Sequence, residues 1–335
     1  MHDIARLAGV SQSTVSRVLG SRAGDVAISE AVRLRIRRVA ERMDYRLNPT
    51  AVALRTGSGH TVLVVVSDIT DSYYGAIISG IESVLVTEGW SMLLHSLLHA
   101  GPADQIGALV RRQQAGGVLM LGALPGVTND SLGSLARRKP PIVIVGRSMT
   151  GVASVTADNG MGGRLAAGLL WDLGHRKIAW MQGPRGWPDF STRISTFRRT
   201  LRARGADEAS LHNFPCPSRD PRAGHTATRA LLAKWAPSAL FCLNDSTALG
   251  AMRALREAER RVPEEVSVIG FDDGELAEES CPSLTTIRQP RFEMGRAGAT
   301  LLLGIVGGTA KREAIVLPVT LIERESTCRA QRKKG

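Results

Sequence analysis

Four apolar runs in this chain end in side chains able to hold a hydroxylated ligand. VLVVV is followed by Ser67, Asp68 and then Ser72-Tyr73-Tyr74. KIAWM is followed by Gln182-Gly183 and then Trp187, ALFCL by Asn244 and Asp245, and VSVIGF by Asp272 and Asp273. Carboxylates and amides fix adjacent hydroxyls in paired hydrogen bonds, and aromatic rings cover the apolar face of a sugar. An isolated Asp at such a place is more often an ordinary strand-end cap; the convergence of several ends on one cleft would make a binding site. Asp272 and Asp273 could mimic a catalytic carboxylate pair, but adjacent residues at a strand end rarely aim at the same atom. No Walker loop, GxGxxG, HExxH or nucleophile elbow occurs, so no catalytic residue and no cofactor is expected. The four cysteines (Cys216, Cys242, Cys281, Cys328) lie far apart with no CxxC pair. They suit a reducing cytoplasm and make poor material for a metal site or a disulfide framework.

A second polar constellation lies at the N-terminus. DIARLAGVSQSTVSRVL, residues 3–19, keeps a helical rhythm at Ile4, Leu7, Ala8, Val10, Val15, Val18 and Leu19. Gly9 interrupts it, at a cost of roughly 1 kcal/mol relative to Ala inside a helix. Two short helices joined by a turn at Gly9 remove that conflict, with Ser11 as N-cap of the second. Val15, Val18 and Leu19 then point inward, while Gln12, Ser13, Ser16 and Arg17 form a polar face. Such a face can read major-groove edges. A plain solvated helix face would carry the same pattern, and spacing alone does not separate the two.

These groups need a framework to hold them. SEAVRLRIRRVAERM, residues 29–43, repeats Val32, Ile36, Val39, Ala40 and Met43, which predicts a third amphipathic helix with Ser29 as N-cap. RLNPTAVALRTGSGH then reads as a linker. From His60 onward, strand-like runs alternate with helical segments, the rhythm of parallel sheets with crossover helices. The strands are too many for one open sheet, so the body divides near residue 157. The expected fold is an all-α helix-turn-helix head (1–46), a hinge (47–59) and an α/β two-lobed body (60–335) with two doubly wound parallel sheets. The N-lobe covers about 60–157 and 290–318, the C-lobe about 158–289 and 319–328, and 329–335 form a basic tail.

The charge balance points the same way. The chain has 335 residues and a formal net charge of +12. Ten arginines against five carboxylates give residues 1–60 a net of +5, and RAQRKKG adds +4. A polyanionic partner fits that distribution. No apolar run reaches the roughly 18 residues that span a bilayer, and the N-terminus has no signal-peptide pattern, so a cytoplasmic protein without a membrane partner is expected.

The opening segment closely resembles the head of the LacI/GalR transcriptional regulators, D-V-A-x-x-A-G-V-S-x-x-T-V-S-R-V-L. That resemblance implies that Gln12, Ser13 and Arg17 meet bases, while Ser11, Thr14 and Ser16 mostly meet phosphates. Ile28-Ser29 and Arg33 match the family's V-S-x-x-T-R. Tyr45, Asn48, Ala51 and Leu54 match its hinge frame Y-x-P-N-x-x-A-R-x-L, although Leu47 and Val52 replace the usual Pro and Arg. Asn48, Ala51 and Leu54 are then minor-groove residues, with Leu54 the wedge that opens a base step. SVTADNGMGG, DLGHRKIAWMQGP, PSALFCLNDSTALGAMRAL, VPEEVSVIGFDD and PSLTTIRQP resemble the family's periplasmic-binding-protein-like body. By position, Arg193, Asn244 and Asp272 correspond to its effector-binding trio. Asp158 falls at the crossing between lobes, Tyr73, Tyr74 and Trp187 at the cleft walls, and Asp68 at a strand end beside them. Asp71-Ser72-Tyr73-Tyr74 departs from the family's Asn-Pro-Phe-Phe by adding hydroxyls to the aromatics. The resemblance implies a homodimeric, effector-controlled repressor that binds pseudo-palindromic double-stranded operator DNA, the effector being a sugar or sugar derivative. A two-lobed sugar receptor without a DNA-binding role is the alternative, and the head segment speaks against it.

Overall fold

The computed structural model describes residues 1–19, 28–45, 60–97, 104–124, 127, 140–183 and 188–331. The chain forms two compact units, Met1–His60 with Gln113–Ala115, and Thr61–Arg112 with Gly116–Gly335. The first unit contains α1 (His2–Ala8), α2 (Gln12–Leu19) and α3 (Glu30–Arg42). Ile4, Ala5, Ala8, Val15, Val18, Ile36 and Ala40 form its core. Gly9 adopts the left-handed conformation (φ 63°, ψ 40°) and ends α1. Val10 N–H reaches back to the Ala5 carbonyl at 3.0 Å, closing the turn. A Cβ on Gly9 would meet nothing within 4 Å, so backbone conformation alone selects glycine there. Two details differ from the sequence expectation. Ser29 precedes α3 as predicted, but its side chain makes no capping bond. Met43, expected on the inner face, is exposed because the helix has already ended at Arg42.

The second unit follows the predicted alternation. In chain order it runs β1 (Thr61–Val66), α4 (Tyr73–Thr87), β2 (Ser91–Ser96), α5 (Asp104–Gln113), β3 (Gly117–Leu121), β4 (Ile142–Val145), β5 (Ala153–Ala157) and α6 (Asn159–Asp172). There follow β6 (Ile178–Gln182), α7 (Pro188–Ala203), β7 (Leu211–Pro215), α8 (Pro221–Leu232), β8 (Ala239–Phe241), α9 (Asp245–Glu257) and β9 (Ser267–Ile269). The last elements are α10 (Glu275–Glu279), β10 (Thr286–Arg288), α11 (Arg291–Gly307), β11 (Ala314–Leu317) and β12 (Thr320–Ile322). One parallel sheet has the order β11-β5-β4-β3-β1-β2 and a second the order β7-β6-β8-β9. β10 and β12 pair antiparallel as a separate ribbon.

β3 and β4 are buried along their whole length, as their apolar runs require of strands covered on both faces, and β5 is buried too although Ser154 and Thr156 interrupt its apolar residues. The chain leaves the first sheet after β5, returns with α11 to place β11 beside β5, and leaves again for β12. Ligands in open α/β sheets bind beyond the carboxyl ends of the strands, so these crossings bring two sets of strand ends to one place. Among the described residues no helix is long and apolar enough to cross a membrane.

His175 ties the end of α6 to the rest of its lobe. Its ring nitrogens lie 3.1 Å from Ser238 Oγ and 3.0 Å from the Cys328 carbonyl oxygen. Burial holds its pKa below the ordinary 6.5. The unfolded chain therefore binds the extra proton first, and stability present above about pH 6.5 is lost as pH falls through the folded-state value. The melting temperature of wild type is expected to fall more steeply between pH 7 and pH 5 than that of His175→Gln; parallel curves would contradict this.

Candidate functional site

The strand ends of the two large sheets border a cleft that Tyr73, Arg147, Arg193, Asn244, Asp272 and Gln289 help to line. Arg193 forms its floor. It projects from α7 and is only 2% exposed. Its Nε and Nη2 donate to Asn159 Oδ1 at 3.2 and 2.8 Å, and Nη1 donates to the Leu243 carbonyl. The guanidinium carbon lies over Phe271, 3.2 Å from the ring centroid, with the Phe190 centroid at 5.0 Å. Cation–π stacking and fixed hydrogen bonds hold it rigid. Glycines at 162 and 163 of α6 permit this packing. A Cβ on Gly162 would collide with the Phe271 ring, and one on Gly163 with the Arg193 carbonyl oxygen. Burial lowers the Arg193 pKa to about 10, with Asp272 the largest opposing influence, so the side chain stays charged near neutrality.

Asp272 follows β9 with φ 117°, a conformation that costs a non-glycine residue of order 1–3 kcal/mol and recurs at binding sites. Gln289 Nε2 donates to its carboxylate at 2.5 Å, and Tyr73 OH donates to Gln289 Oε1 at 3.3 Å. This relay links α4, on the first sheet, to the end of β9 on the second. Burial raises the Asp272 pKa, with Arg193 and then the Gln289 hydrogen bond opposing. Tyr73 is likewise raised by burial and then by Asp272, so its phenol is a donor. Tyr74 is buried, meets Tyr73 edge-on at 5.3 Å and lies 3.3 Å from Ser67 Oγ. Asn244 caps α9, accepting from Thr247 N–H at 3.0 Å, and donates from Nδ2 to the Arg219 carbonyl at 3.2 Å. Arg219 in turn reaches across to Asp71 at 2.7 Å.

Tyr73, Tyr74, Arg193, Asn244 and Asp272 thus line one cavity. Two predicted site residues do not. Asp158 caps α6, its Oδ1 accepting from Met161 N–H at 2.7 Å. Asp68 closes a tight turn, accepting from Thr70 N–H at 2.8 Å and Thr70 Oγ1 at 2.7 Å, beside a neighbouring groove that shares Arg219 and Asn244 with the cavity. Both carboxylates are drawn to the nearest free backbone donor. Trp187, Asn48, Ala51 and Leu54 lie outside the described residues.

The cavity also holds Arg147, Asn159, Asp189, Phe190, Arg219 and Gln289, which the sequence reading missed. Asp189 and Phe190 precede Arg193 by four and three residues, a same-face spacing that could have been noticed. Arg147 follows the apolar run PPIVIVG, a strand end of the same kind as those that carry Asp68 and Asp272. Arg219 and Gln289 stand in connections without any periodic signal. Burial pushes the Asp189 pKa up to about 6, with Arg193 and Arg147 opposing.

In the first unit, Gln12, Ser13 and Arg17 are exposed on α2 while Val15 and Val18 are buried. Ser11 caps the helix. Its Oγ accepts from Thr14 N–H at 3.2 Å and lies 2.7 Å from Ser13 Oγ and 2.8 Å from Thr14 Oγ1. A short turn thus delivers the amino end of a second helix with an open polar face, the arrangement of a reading helix.

Residues 1–48 match the bacterial regulatory proteins of the lacI family, and residues 167–327 match the periplasmic binding protein-like domain. The chain is 33% identical over 341 residues to the HTH-type transcriptional regulator CelR of Thermobifida fusca, with 96% of each covered. The chain belongs to the lacI family. This lacI-family protein is a sequence-specific DNA-binding transcriptional regulator. It is similar to the lac repressor dimer bound to operator and the anti-inducer ONPF, at 25% identity, TM-score 0.81, and coverage of 97% of this chain and 98% of that one. It is also similar to a LacI family transcriptional regulator from Enterococcus faecium with bound ribose, at 30% identity, TM-score 0.72, and coverage of 81% and 100%.

Proposed function

We propose that this regulator is a repressor whose operator binding is controlled by a sugar or sugar derivative held between the two large sheets of its body. The observation that carries this reading is the buried Arg193, stacked on Phe271 and bonded to Asn159, in one cavity with Asp272 and Gln289. Rigid, paired donors and acceptors on an aromatic base are what neighbouring hydroxyls of a sugar require. The ribose bound by the Enterococcus faecium relative supports the same class of ligand.

Two chains pair through the body, in the cytoplasm, and set two heads on half-sites of a pseudo-palindromic operator. Gln12, Ser13 and Arg17 read bases, and Ser11, Thr14 and Ser16 position the helix on phosphates. Asn48, Ala51 and Leu54 enter the minor groove. The action is binding, without catalysis. The Asp71–Arg219 ion pair and the Tyr73–Gln289–Asp272 relay join elements of the two sheets. An effector that rearranges them changes DNA affinity only if it binds the two states unequally.

The test is fluorescence anisotropy of the full chain on its own promoter DNA, titrated with neutral sugars and their acidic and phosphorylated derivatives. At least one compound should change operator affinity about tenfold or more, the scale of a 1–3 kcal/mol coupling. The same compound should raise the melting temperature by mass action. A panel with no effect on either quantity would sink the sugar-effector reading. Light scattering should give the mass of a dimer.

A further inference from the structure

We infer that the effector carries an anionic group, a carboxylate or a phosphate, on its sugar framework, and that Arg147 receives it. This rests on the sugar-effector reading above and adds the charge of the ligand. Arg147 stands just beyond β4 and lines the cavity from the side of the first sheet. Its Nε is buried and, among the described residues, has no hydrogen-bond partner.

The other charged groups with a buried, unbonded atom differ from it. Arg260 Nε has Glu265 at 3.4 Å, and Asp273 Oδ1 has Arg324 at 2.8 Å. Among the described residues, Arg147 makes no such ion pair. A guanidinium cannot shed its proton, and a buried donor without an acceptor is costly. Planar anions satisfy it through two parallel hydrogen bonds.

Asp189 is an electrostatic neighbour of Arg147 but accepts no hydrogen bond from its Nε. Arg193 is committed to Asn159, Leu243 and the face of Phe271. Arg219 holds Asp71 at 2.7 Å. The cavity lining contains Arg147, Arg193 and Arg219 with the carboxylates of Asp189 and Asp272, and Arg219 is already paired with Asp71. A neutral sugar could engage Asn159, Asp272, Gln289 and Tyr73 and still leave Arg147 Nε without an anionic acceptor. An acidic substituent completes the set.

Calorimetric titration of the full chain with matched sets tests this. Suitable sets are glucose, glucuronate and glucose 6-phosphate; galactose, galacturonate and galactose 6-phosphate; and ribose with ribose 5-phosphate. In at least one set a charged member should bind about tenfold or more tightly than its neutral parent, and the arm that wins distinguishes carboxylate from phosphate. Arg147→Gln should bring that ratio close to one, and Arg147→Lys, which keeps the charge without the fork, should restore part of it. Unliganded melting temperatures establish that the variants fold. Neutral parents binding as tightly as their charged partners would overturn the inference and leave the sugar reading standing. So would an unchanged ratio in Arg147→Gln. Failure of every member of every set to bind would overturn both.

Discussion

Arg193→Ala is expected to abolish the effector response while leaving operator binding in place. The substitution strips Asn159 Oδ1 and the Leu243 carbonyl of their donors and uncovers the face of Phe271. It also removes the largest influence opposing the upward shift of the Asp272 pKa. Breaking a buried charge arrangement from one side typically costs about 3–5 kcal/mol, and each orphaned acceptor about 1–3 kcal/mol. Part of that cost falls on the stability of the unliganded body. The remainder should lower effector affinity by about 10²-fold or more. Arg193→Lys keeps a charge but loses the planar stack and the fork, so it should be intermediate. Calorimetry gives the affinity, and anisotropy with and without effector gives the response. An Arg193→Ala protein that still binds effector as wild type does would remove Arg193 from the site.

Arg17→Ala should show the opposite profile. Arg17 is exposed on α2, away from the core formed by Ile4, Val15 and Ile36, so stability should change by no more than about 0.5 kcal/mol. A good bidentate base contact discriminates by about 1–3 kcal/mol, and a two-fold symmetric complex loses one from each half-site, about 2–6 kcal/mol in all. Effector binding by the variant should match wild type. The salt dependence of binding sharpens the assignment. A lost base contact leaves the slope of log affinity against log salt nearly unchanged, whereas a lost phosphate contact lowers it by about 1 per half-site. Undiminished operator affinity at fixed salt would refute the role of α2 as the reading helix.

The head was the more legible half of the chain. Gly9 and Ser11 act within a few residues of themselves, and the structure places a left-handed turn and a capping hydroxyl there. Ser29 shows the limit of the same logic, because a cap residue in the right position need not form the bond. In the body, buried parallel strands follow directly from runs such as TVLVVV and GVLML. Strand ends rich in Asp, Asn and Tyr marked the region of the cavity, but not which of those side chains would enter it. Asp68 and Asp158 turn back onto local N–H groups.

Periodicity, turn chemistry and capping operate over three or four residues, and to that extent the chain can be read unaided: three head helices, two parallel sheets, and polar groups at the strand ends. The composition of the cavity is settled at longer range. Tyr73 and Gln289 meet across 216 residues of chain, and Asp71 and Arg219 across 148. Asn159 faces Arg193 while its neighbour Asp158 does not, because the direction in which α6 leaves β5 depends on how it packs against α7. No local pattern encodes that angle. It emerges when the sheets bury their apolar faces, and only then is Arg147 Nε left without an acceptor among the described residues.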